Sequence, residues 1–298
     1  MPFNGELFSR KGAKAQRKCL PRLGEIVYRP ARPKITTMPQ LTENEINQFN
    51  RDGYLMRKAL FDAEEMDLLI RIGKTDKRLE REALERKDAN ATTSKLWLTD
   101  VLEDDIYSAF VRCLRLVEPM EQLLGGEVYH YHHKMMLKEP FVGGSWEWHQ
   151  DYGYWYSNTC LFPYMASCLI AVDSATKENG CLQVIRGSHL MGRIDHNKTG
   201  DQTGADLERV NEALKHLELV YCEMEPGSAL FFHANLLHRS DANRSPNPRW
   251  SLICCYNAAR NPCKGRANHP EYSYLERWPD ERIKEIGRRQ LKKLVLQD

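Results

Sequence analysis

The sequence predicts a mainly β protein with flanking helices, in which an antiparallel double-sheet or jelly-roll core follows a helical half. Helical periodicity dominates residues 41–125, whereas short segments rich in β-branched and aromatic residues dominate residues 127–260. Turn residues such as Glu178-Asn179-Gly180 and Pro226-Gly227 separate the short segments. An apolar content of 42% and a charged content of 28% over 298 residues are typical of an ordinary globular protein.

The helical half shows recognisable helix starts and stops. Its predicted elements, in order, are a helix behind a Thr42–Glu45 capping box, a strand at 54–56, a helix from about Asp62, a charged helix and loop at 74–95, and a helix at about 103–124. Pro119 is expected to kink the last helix, and Gly125-Gly126 to end it. These helices are predicted to buttress the sheets.

The β half begins at residue 127, where EVYHYHHKMML alternates in the manner of a strand. Further strands are predicted within the segments CLIAVD, TKENGCLQVIRGSH, LVYCEMEPGSALFFHANLLH and RWSLICCYNA. The core is expected to span about residues 127–260, followed by a C-terminal tail and helix at 261–298. Residues 39–298 are therefore predicted to form one domain.

Residues 1–38 are basic, contain several Pro and Gly, and lack periodicity, so they are predicted to form a loosely ordered arm. The arm is either a dispensable extension or mis-assigned start, or a segment that binds nucleic acid or serves in targeting. It lacks the apolar stretch of a secretory signal. A net charge of +2 provides no global field favouring nucleic acid, and no apolar run approaches the roughly 18 residues of a membrane span.

The nine cysteines are scattered and form no CxxC pair, which excludes a zinc ribbon or redox dithiol of that pattern. Several lie in apolar runs such as SCLIAV and SLICCY, where a reduced cysteine packs as a small apolar side chain. These features predict a reducing, cytoplasmic location.

The stretch WEWHQDYGYWY, residues 146–156, carries the candidate chemistry. Six of its eleven residues are aromatic, and His149 and Asp151 lie between them. On a strand, positions i and i+2 share a face, so both side chains are predicted to reach one metal ion. Two histidines and one carboxylate on one face form the facial triad of non-haem Fe(II) oxygenases. The candidates for the second histidine are His189, His196, His216, His233, His238 and His269.

His238 is the strongest candidate, because it ends PGSALFFHANLLH, a turn followed by a strand. Arg249 follows eleven residues later and opens the strand RWSLICCYN. An arginine fork binds a carboxylate through two hydrogen bonds, which suits the distal carboxylate of an α-keto acid bound to the iron. Ser240 is expected on the same face as His238 and adds a hydroxyl donor.

These residues resemble the phytanoyl-CoA dioxygenase family of Fe(II)- and 2-oxoglutarate-dependent oxygenases. The segments DGYLMRKALFDAEEMDLL, ENGCLQVIRGSH and EPGSALFFHANLLH resemble that family over about residues 41–260, and HQDYGYWY resembles its ectoine-hydroxylase branch. The resemblance implies a double-stranded β-helix of the jelly-roll, cupin-like type. It also implies iron at His149, Asp151 and His238, and 2-oxoglutarate at Arg249 and Ser240.

The resemblance assigns further positions around the iron. Met136 and Trp146 correspond to positions beside 2-oxoglutarate, and Trp155, Tyr152, His130 and Arg186 are the candidate substrate contacts. Met136 replaces an asparagine of the ectoine branch, Arg186 replaces a proline of the family, and His130 replaces a polar substrate contact. These departures concern the substrate and leave the iron chemistry intact.

Several residues keep two interpretations. Alternation places His130 and His132 on one face of a strand and His133 on the other; they are structural or contact the substrate. Lys134 and Lys138 either contact an acidic ligand or are solvated. The predicted function is hydroxylation of a small molecule with release of succinate and CO2, using O2. The alternatives are a different oxidation at the same site, such as desaturation, or a non-catalytic jelly-roll binding protein. Neither the substrate nor the oligomeric state is predicted.

Overall fold

The computed structural model describes residues 40–88, 92–199, 202–261, 263 and 271–296. The predicted N-terminal arm, residues 1–38, lies outside the described residues. The helices are α1 (Glu43–Asp52), α2 (Ala63–Thr75), α3 (Lys77–Glu82), α4 (Ile106–Arg112), α5 (Leu114–Leu124), α6 (Asp151–Trp155), α7 (Leu207–His216) and α8 (Arg282–Val295), with 3-10 turns at Tyr156–Asn158 and Ser188–Met191.

Most strands belong to the C-terminal half of the described chain. They are β1 (Tyr54–Arg57), β2 (Leu84–Lys87), β3 (Thr93–Thr99), β4 (Val128–Lys138), β5 (Trp146–His149), β6 (Met165–Ala171), β7 (Leu182–Ile185), β8 (His196–Thr199), β9 (Gln202–Ala205), β10 (Leu219–Cys222), β11 (Ala229–His233), β12 (His238–Ser240) and β13 (Arg249–Ala258).

Two antiparallel sheets form the core. The larger sheet has the order β1-β11-β6-β13-β4-β3-β2, and the smaller sheet has the order β10-β7-β12-β5. Strands β8 and β9 pair as a separate hairpin. The predicted mainly β fold with flanking helices is confirmed, since two antiparallel sheets and the helices beside them make up most of the described residues.

The central strands of the larger sheet, β4, β6 and β13, are buried on both faces. One face packs against the helices through residues such as Met135, Cys254 and Tyr256, and the other packs toward the smaller sheet through residues such as Met136 and Ile253. Side chains alternate between the faces with the two-residue period of a strand. This arrangement places a second apolar layer, and the candidate site, between the two sheets.

An irregularity in β4 changes the predicted alternation of its histidines. Tyr256 lies opposite His130 and Cys255 lies opposite His132, so Tyr131 is the extra residue of a β-bulge. Residues directly opposite each other share a face. The Tyr256 hydroxyl donates to Val111 O of α4 at 2.7 Å, so His130 faces the helices. The predicted pairing of His130 with His132 on one face is therefore wrong.

In the helical half, two helices begin at capping residues that the sequence indicates. Thr42 and Asp62 both form capping boxes, with Glu45 and Glu65 respectively. The single helix predicted at 103–124 is instead two helices, because Cys113 is extended with ψ 146°. Pro119 lies inside α5. The break lets Trp278 N donate to Arg112 O at 2.9 Å, which attaches the C-terminal segment.

The charged segment 74–95 forms more structure than predicted. It contains α3 and β2, and β3 begins within it. Strand β2 is exposed at all four residues and carries no apolar alternation, so hydrophobic periodicity does not reveal it. Its neighbour β3 pairs with β4 and buries Leu96 and Trp97.

The cysteines are not all reduced. Cys160 and Cys263 form a disulfide that the sequence analysis did not predict. Six other described cysteines are free and buried. No helix among the described residues is both long and apolar enough to cross a bilayer. The cytoplasmic location stays a prediction.

Candidate metal centre

Three side chains converge between the sheets. His149 ends β5 and lies directly opposite His238, the first residue of β12. Asp151 begins α6. One nitrogen or oxygen atom from each of the three lies within 4.8 Å of the others, and all three residues are buried. The structure thus brings together the three residues that the sequence nominates for iron.

The sequence predicts that Asp151 lies on the same strand as His149. In the structure Asp151 instead lies at the start of α6. Gln150 is the last extended residue, and Gly153 N donates to Gln150 O as the chain turns into α6. The Gln150 amide donates to Gly192 O at 2.8 Å and Asn235 O at 2.7 Å, which fixes the turn. A Cβ at position 153 would lie 2.1 Å from the His196 ring, so the helix needs glycine there.

The two histidines are held as neutral rings with one free nitrogen each. His149 Nδ1 donates to Glu147 O at 2.7 Å and His238 Nδ1 donates to Leu236 O at 2.9 Å. A carbonyl only accepts, so both Nδ1 atoms carry the proton and both Nε2 atoms keep a lone pair. Burial lowers the pKa of both rings, well below the ordinary value for His149. Neutral imidazole is the form that binds a metal ion.

The Asp151 carboxylate is supported from two sides. Burial favours its neutral form, yet its pKa is lowered because the charge of Lys134, the nearby His238 and a hydrogen bond from Ser167 outweigh burial. Ser167 Oγ donates to Oδ2 at 2.8 Å. Lys134 Nζ lies 3.8 Å from Oδ1. An ionised carboxylate and two neutral imidazoles fit a divalent iron ion.

A cavity of about 50 Å³ adjoins His149 and His238. The four residues predicted to hold 2-oxoglutarate, Met136, Trp146, Ser240 and Arg249, all line it together with His149 and His238. Its remaining walls are Leu96, Lys134, Leu169, Leu182, Phe232, Arg239 and Ile253. The cavity is therefore largely apolar, with cations beside it.

Arg249 has the features of a carboxylate receptor. Its guanidinium is buried, Nη1 donates to Ser251 Oγ at 3.3 Å, and Nε is a buried donor with no hydrogen-bond partner among the described residues. Burial lowers its pKa to about 10, so it stays charged at neutral pH. A buried cation with an unpaired donor is costly unless an anion binds it. The cavity residues thus fit the distal carboxylate of 2-oxoglutarate.

Trp155 lies at one side of this region. Its ring packs edge-on against Tyr131 and His132, with centroids 5.2 and 5.6 Å away. Within the part of the chain that the structure describes, His132 Nε2 is buried and has no hydrogen-bond partner. Tyr152, the other aromatic candidate, uses its hydroxyl to donate to Cys160 O at 3.0 Å. Trp155 with His132 thus offers a free polar atom, whereas the Tyr152 hydroxyl is already bonded.

Two predicted substrate contacts are not brought to the site. His130 lies on the helical face of β4, where its Nε2 is 3.1 Å from His133 Nδ1. Arg186 forms an ion pair with Glu218 at 2.9 Å, and 43% of its side chain is exposed. Both assignments are corrected. His130 was assigned to the wrong face because the bulge at Tyr131 has no local sequence signal. Arg186 is not at the site because it lies beyond the end of β7.

Sequence reasoning missed Ser167 and did not decide the role of His132. Ser167 lies in an apolar run, and only the pairing of β6 with β13 places it beside Asp151. His132 was left between two roles because the bulge has no sequence signature. Lys134 and Lys138 are not solvated strand ends; Lys138 is wholly buried.

The fold and the site define a jelly-roll protein with a His–Asp–His metal centre and an adjoining anion receptor. The profile of the phytanoyl-CoA dioxygenase family (PhyH) matches residues 49–251, about two thirds of the chain. The chain belongs to this family. It is an Fe(II)- and 2-oxoglutarate-dependent dioxygenase, and the predictions of family, enzyme class and cofactors are confirmed.

Curated relatives and solved structures agree with this assignment. The L-proline trans-4-hydroxylase of Streptomyces griseoviridis is 28% identical over 236 residues, which cover 72% of this chain and 85% of the relative. The ectoine dioxygenase of Bordetella parapertussis is 28% identical over 249 residues, which cover 78% and 79%. The structure of EctD from S. alaskensis with bound Fe has a TM-score of 0.66 at 23% identity, covering 87% of this chain and 93% of that one. The last comparison shows the fold.

Proposed function

We propose that this enzyme hydroxylates a small polar molecule at a C–H bond, with 2-oxoglutarate converted to succinate and CO2. The observation that carries the proposal is that the His149, Asp151 and His238 ligand atoms converge beside a cavity that also contains Arg249 and Ser240. Relatives named for hydroxylation of L-proline and dioxygenation of ectoine support a small substrate.

Iron bound here with 2-oxoglutarate and O2 supplies the oxidising power for attack on an unactivated C–H bond. The chain's own contribution is placement. His149 and His238 present Nε2, and Asp151 presents the carboxylate oxygen that Ser167 leaves free. Backbone carbonyls fix both rings, so the ligands are oriented before the metal binds.

Arg249 and Ser240 are proposed to hold the distal carboxylate of 2-oxoglutarate, and Met136 and Trp146 to pack against its carbon chain. All four line the same cavity. Because the Arg249 guanidinium is buried, its interaction with a carboxylate is screened little by water. Burial of the cavity also keeps bulk water away from the reacting groups.

The substrate is proposed to bind between Trp155 and Lys134. Trp155 provides an apolar ring, and the free Nε2 of His132 is available for one hydrogen bond. Lys134 lines the cavity and adds a positive charge near Asp151. This combination favours a small molecule with an apolar part and an anionic or hydrogen-bonding group.

The first test is anaerobic visible absorption of the purified protein after addition of Fe(II) and then 2-oxoglutarate. A keto acid chelating the bound iron is expected to give a weak charge-transfer band that Fe(II) alone does not give. Arg249→Ala is expected to lose the band at 2-oxoglutarate concentrations that saturate the wild type. No band in folded wild-type protein would contradict the proposal.

The outcome of the reaction is tested by product mass once a substrate screen finds stimulated succinate release. Hydroxylation adds one oxygen atom to the substrate, whereas desaturation removes two hydrogen atoms. Wild-type protein that binds both cofactors but releases no succinate with any small polar substrate would favour the binding-protein alternative.

A further inference from the structure

Lys138 is a second buried cation next to Arg249. The two residues are direct partners across β4 and β13, so their side chains leave the same face of the sheet. Lys138 is 0% exposed. Among the residues that the structure describes, neither forms an ion pair with a carboxylate.

The contacts of Lys138 leave its charge uncompensated. Nζ donates to the backbone carbonyl of Asp241, and this is the one hydrogen bond seen for Nζ within the described residues. The Asp241 carboxylate is engaged elsewhere, because Arg239 Nη2 donates to it at 2.6 Å and the Gln183 amide at 2.5 Å. The Nζ atom also lies close to Gly180, where an added Cβ would be 3.2 Å away.

The charged and titratable groups that face Lys138 come from four elements. They are Arg249 on β13, Asp241 after β12, Asp88 after β2 and Cys181 before β7. The Asp88 carboxylate accepts hydrogen bonds from Thr92 and Ser145. Burial, followed by repulsion from Arg249, lowers the pKa of Lys138 well below its ordinary value, and the two carboxylates only partly oppose this.

We propose that Lys138 is a positioning residue that takes up a proton when 2-oxoglutarate binds. The inference rests on the proposed role of Arg249. Before binding, charges on both buried side chains would repel each other, so Lys138 is neutral and only Arg249 is charged. A carboxylate on Arg249 offsets that repulsion, so the Lys138 amine gains a proton from solvent and becomes an ammonium group.

Protonated Lys138 then acts through its neighbours. The ammonium group holds the Asp241 carbonyl, at the start of the connection from β12 to β13, and adds positive potential behind Arg249. Binding and protonation are linked, so each favours the other. Where one proton is taken up, the affinity for 2-oxoglutarate falls about tenfold for each unit that the pH rises.

The test is calorimetric titration of 2-oxoglutarate into Mn(II)-loaded protein at one pH, in phosphate and in Tris, whose ionisation enthalpies differ. The difference in heat between the buffers counts the protons exchanged. Wild type is expected to take up close to one proton, and Lys138→Met close to none. The affinity of Lys138→Met should also lose the pH dependence. Lys95→Met, at a 48% exposed lysine on the neighbouring strand β3, should behave as wild type.

The possible outcomes separate this inference from the proposed function. No binding heat in Mn(II)-loaded wild type would sink the proposed function itself. Binding without proton uptake, or unchanged uptake in Lys138→Met, would overturn only the role of Lys138. If Lys138→Met does not fold, Lys138→Arg replaces it; its fixed charge should permit binding without uptake, and uptake equal to wild type would again overturn the inference.

Discussion

At the residue scale, the metal centre depends on how each ligand is oriented as much as on which ligands are present. Each histidine donates its Nδ1–H to a backbone carbonyl, and Asp151 Oδ2 accepts a hydrogen bond from the Ser167 hydroxyl. The proposed ligand atoms are therefore Nε2 of each histidine and the other carboxylate oxygen of Asp151. Backbone carbonyls cannot be removed by mutation, but the Ser167 hydroxyl can.

Ser167→Ala is expected to weaken metal binding about 10-fold or more, because groups that orient metal ligands typically contribute that much. The Asp151 carboxylate would keep its charge but lose one of its two supports. The measurement is Mn(II) affinity by calorimetry, with the unfolding transition as a check on folding. Ser251→Ala, which alters the Arg249 side instead, is the matched control and should leave Mn(II) affinity unchanged. Equal affinities for Ser167→Ala and wild type would remove Ser167 from the metal centre.

At the element scale, α1 is coupled to β1 through one carboxylate. Glu45 closes the capping box with Thr42 and also accepts two hydrogen bonds from the Arg57 guanidinium, at 2.9 and 3.0 Å. The bond from Arg57 is the main reason that the pKa of Glu45 is lowered to about 2. The helix is thus attached to the edge of the larger sheet.

A lowered carboxyl pKa stabilises the fold at pH values above the pKa of the unfolded chain, and the contribution is lost as pH falls toward 2. Glu45→Gln should therefore lower the free energy of unfolding by about 1–2 kcal/mol at pH 7, the range for a helix cap plus a partly exposed ion pair. The difference from wild type should shrink between pH 5 and pH 2. Urea unfolding across that range measures it, with Glu43→Gln, an exposed first-turn neighbour, as control. A difference that does not change with pH would contradict the assignment.

The disulfide joins two elements that flank the site. Cys160 follows α6 and its 3-10 turn, and Cys263 follows β13. The bond links residues 103 positions apart, and the restricted unfolded chain predicts a stabilisation of up to about 4 kcal/mol. Reduction of the wild type should lower the midpoint of urea unfolding, and Cys263→Ser should match the reduced wild type. If the reductant shifts Cys263→Ser as much as wild type, the disulfide is not the cause.

Elements differed in how far the sequence could predict them. Capping boxes at Thr42 and Asp62 are local hydrogen-bond patterns, so the sequence revealed them. The three proposed metal ligands could be nominated because the His149-x-Asp151 spacing and the strand-terminal His238 are recognisable in the sequence, and the structure brings them together. The bulge at Tyr131, the break at Cys113 and the turn after Gln150 depend on partners far along the chain, and no local pattern predicts them. For the same reason His130 was assigned to the wrong face and Ser167 was overlooked.

At the scale of the whole molecule, the site lies between two sheets. His149 and His238 belong to the smaller sheet, whereas Arg249 belongs to the larger one. Ligands that bind between the layers should therefore stabilise the fold. A ligand at 100 times its dissociation constant adds about 2.7 kcal/mol, which is about 5–10 °C in melting temperature for a domain of this size.

Calorimetric melting should show two increases in melting temperature. The first is expected when Mn(II) is added, and the second when 2-oxoglutarate is added to the Mn(II)-loaded protein. Arg249→Ala is expected to keep the first and lose most of the second. The His130→Gln variant should keep both, because His130 faces the helices. Loss of the first increment in Arg249→Ala would mean that the metal centre and the carboxylate receptor are not separate.

The direct pairing of His149 with His238 has a consequence for how such enzymes diversify. The separation of the two rings is set by the spacing of two hydrogen-bonded strands, which side-chain changes elsewhere leave untouched. Trp155 and His132, in contrast, lie on α6 and β4, outside this pair of strands. The backbone thus sets the separation of the two proposed histidine ligands, whereas the proposed substrate contacts are side chains that can be exchanged. A laboratory that wishes to retarget this catalyst should therefore randomise Trp155 and His132 and leave Asp151 and the β5–β12 strand pair unchanged.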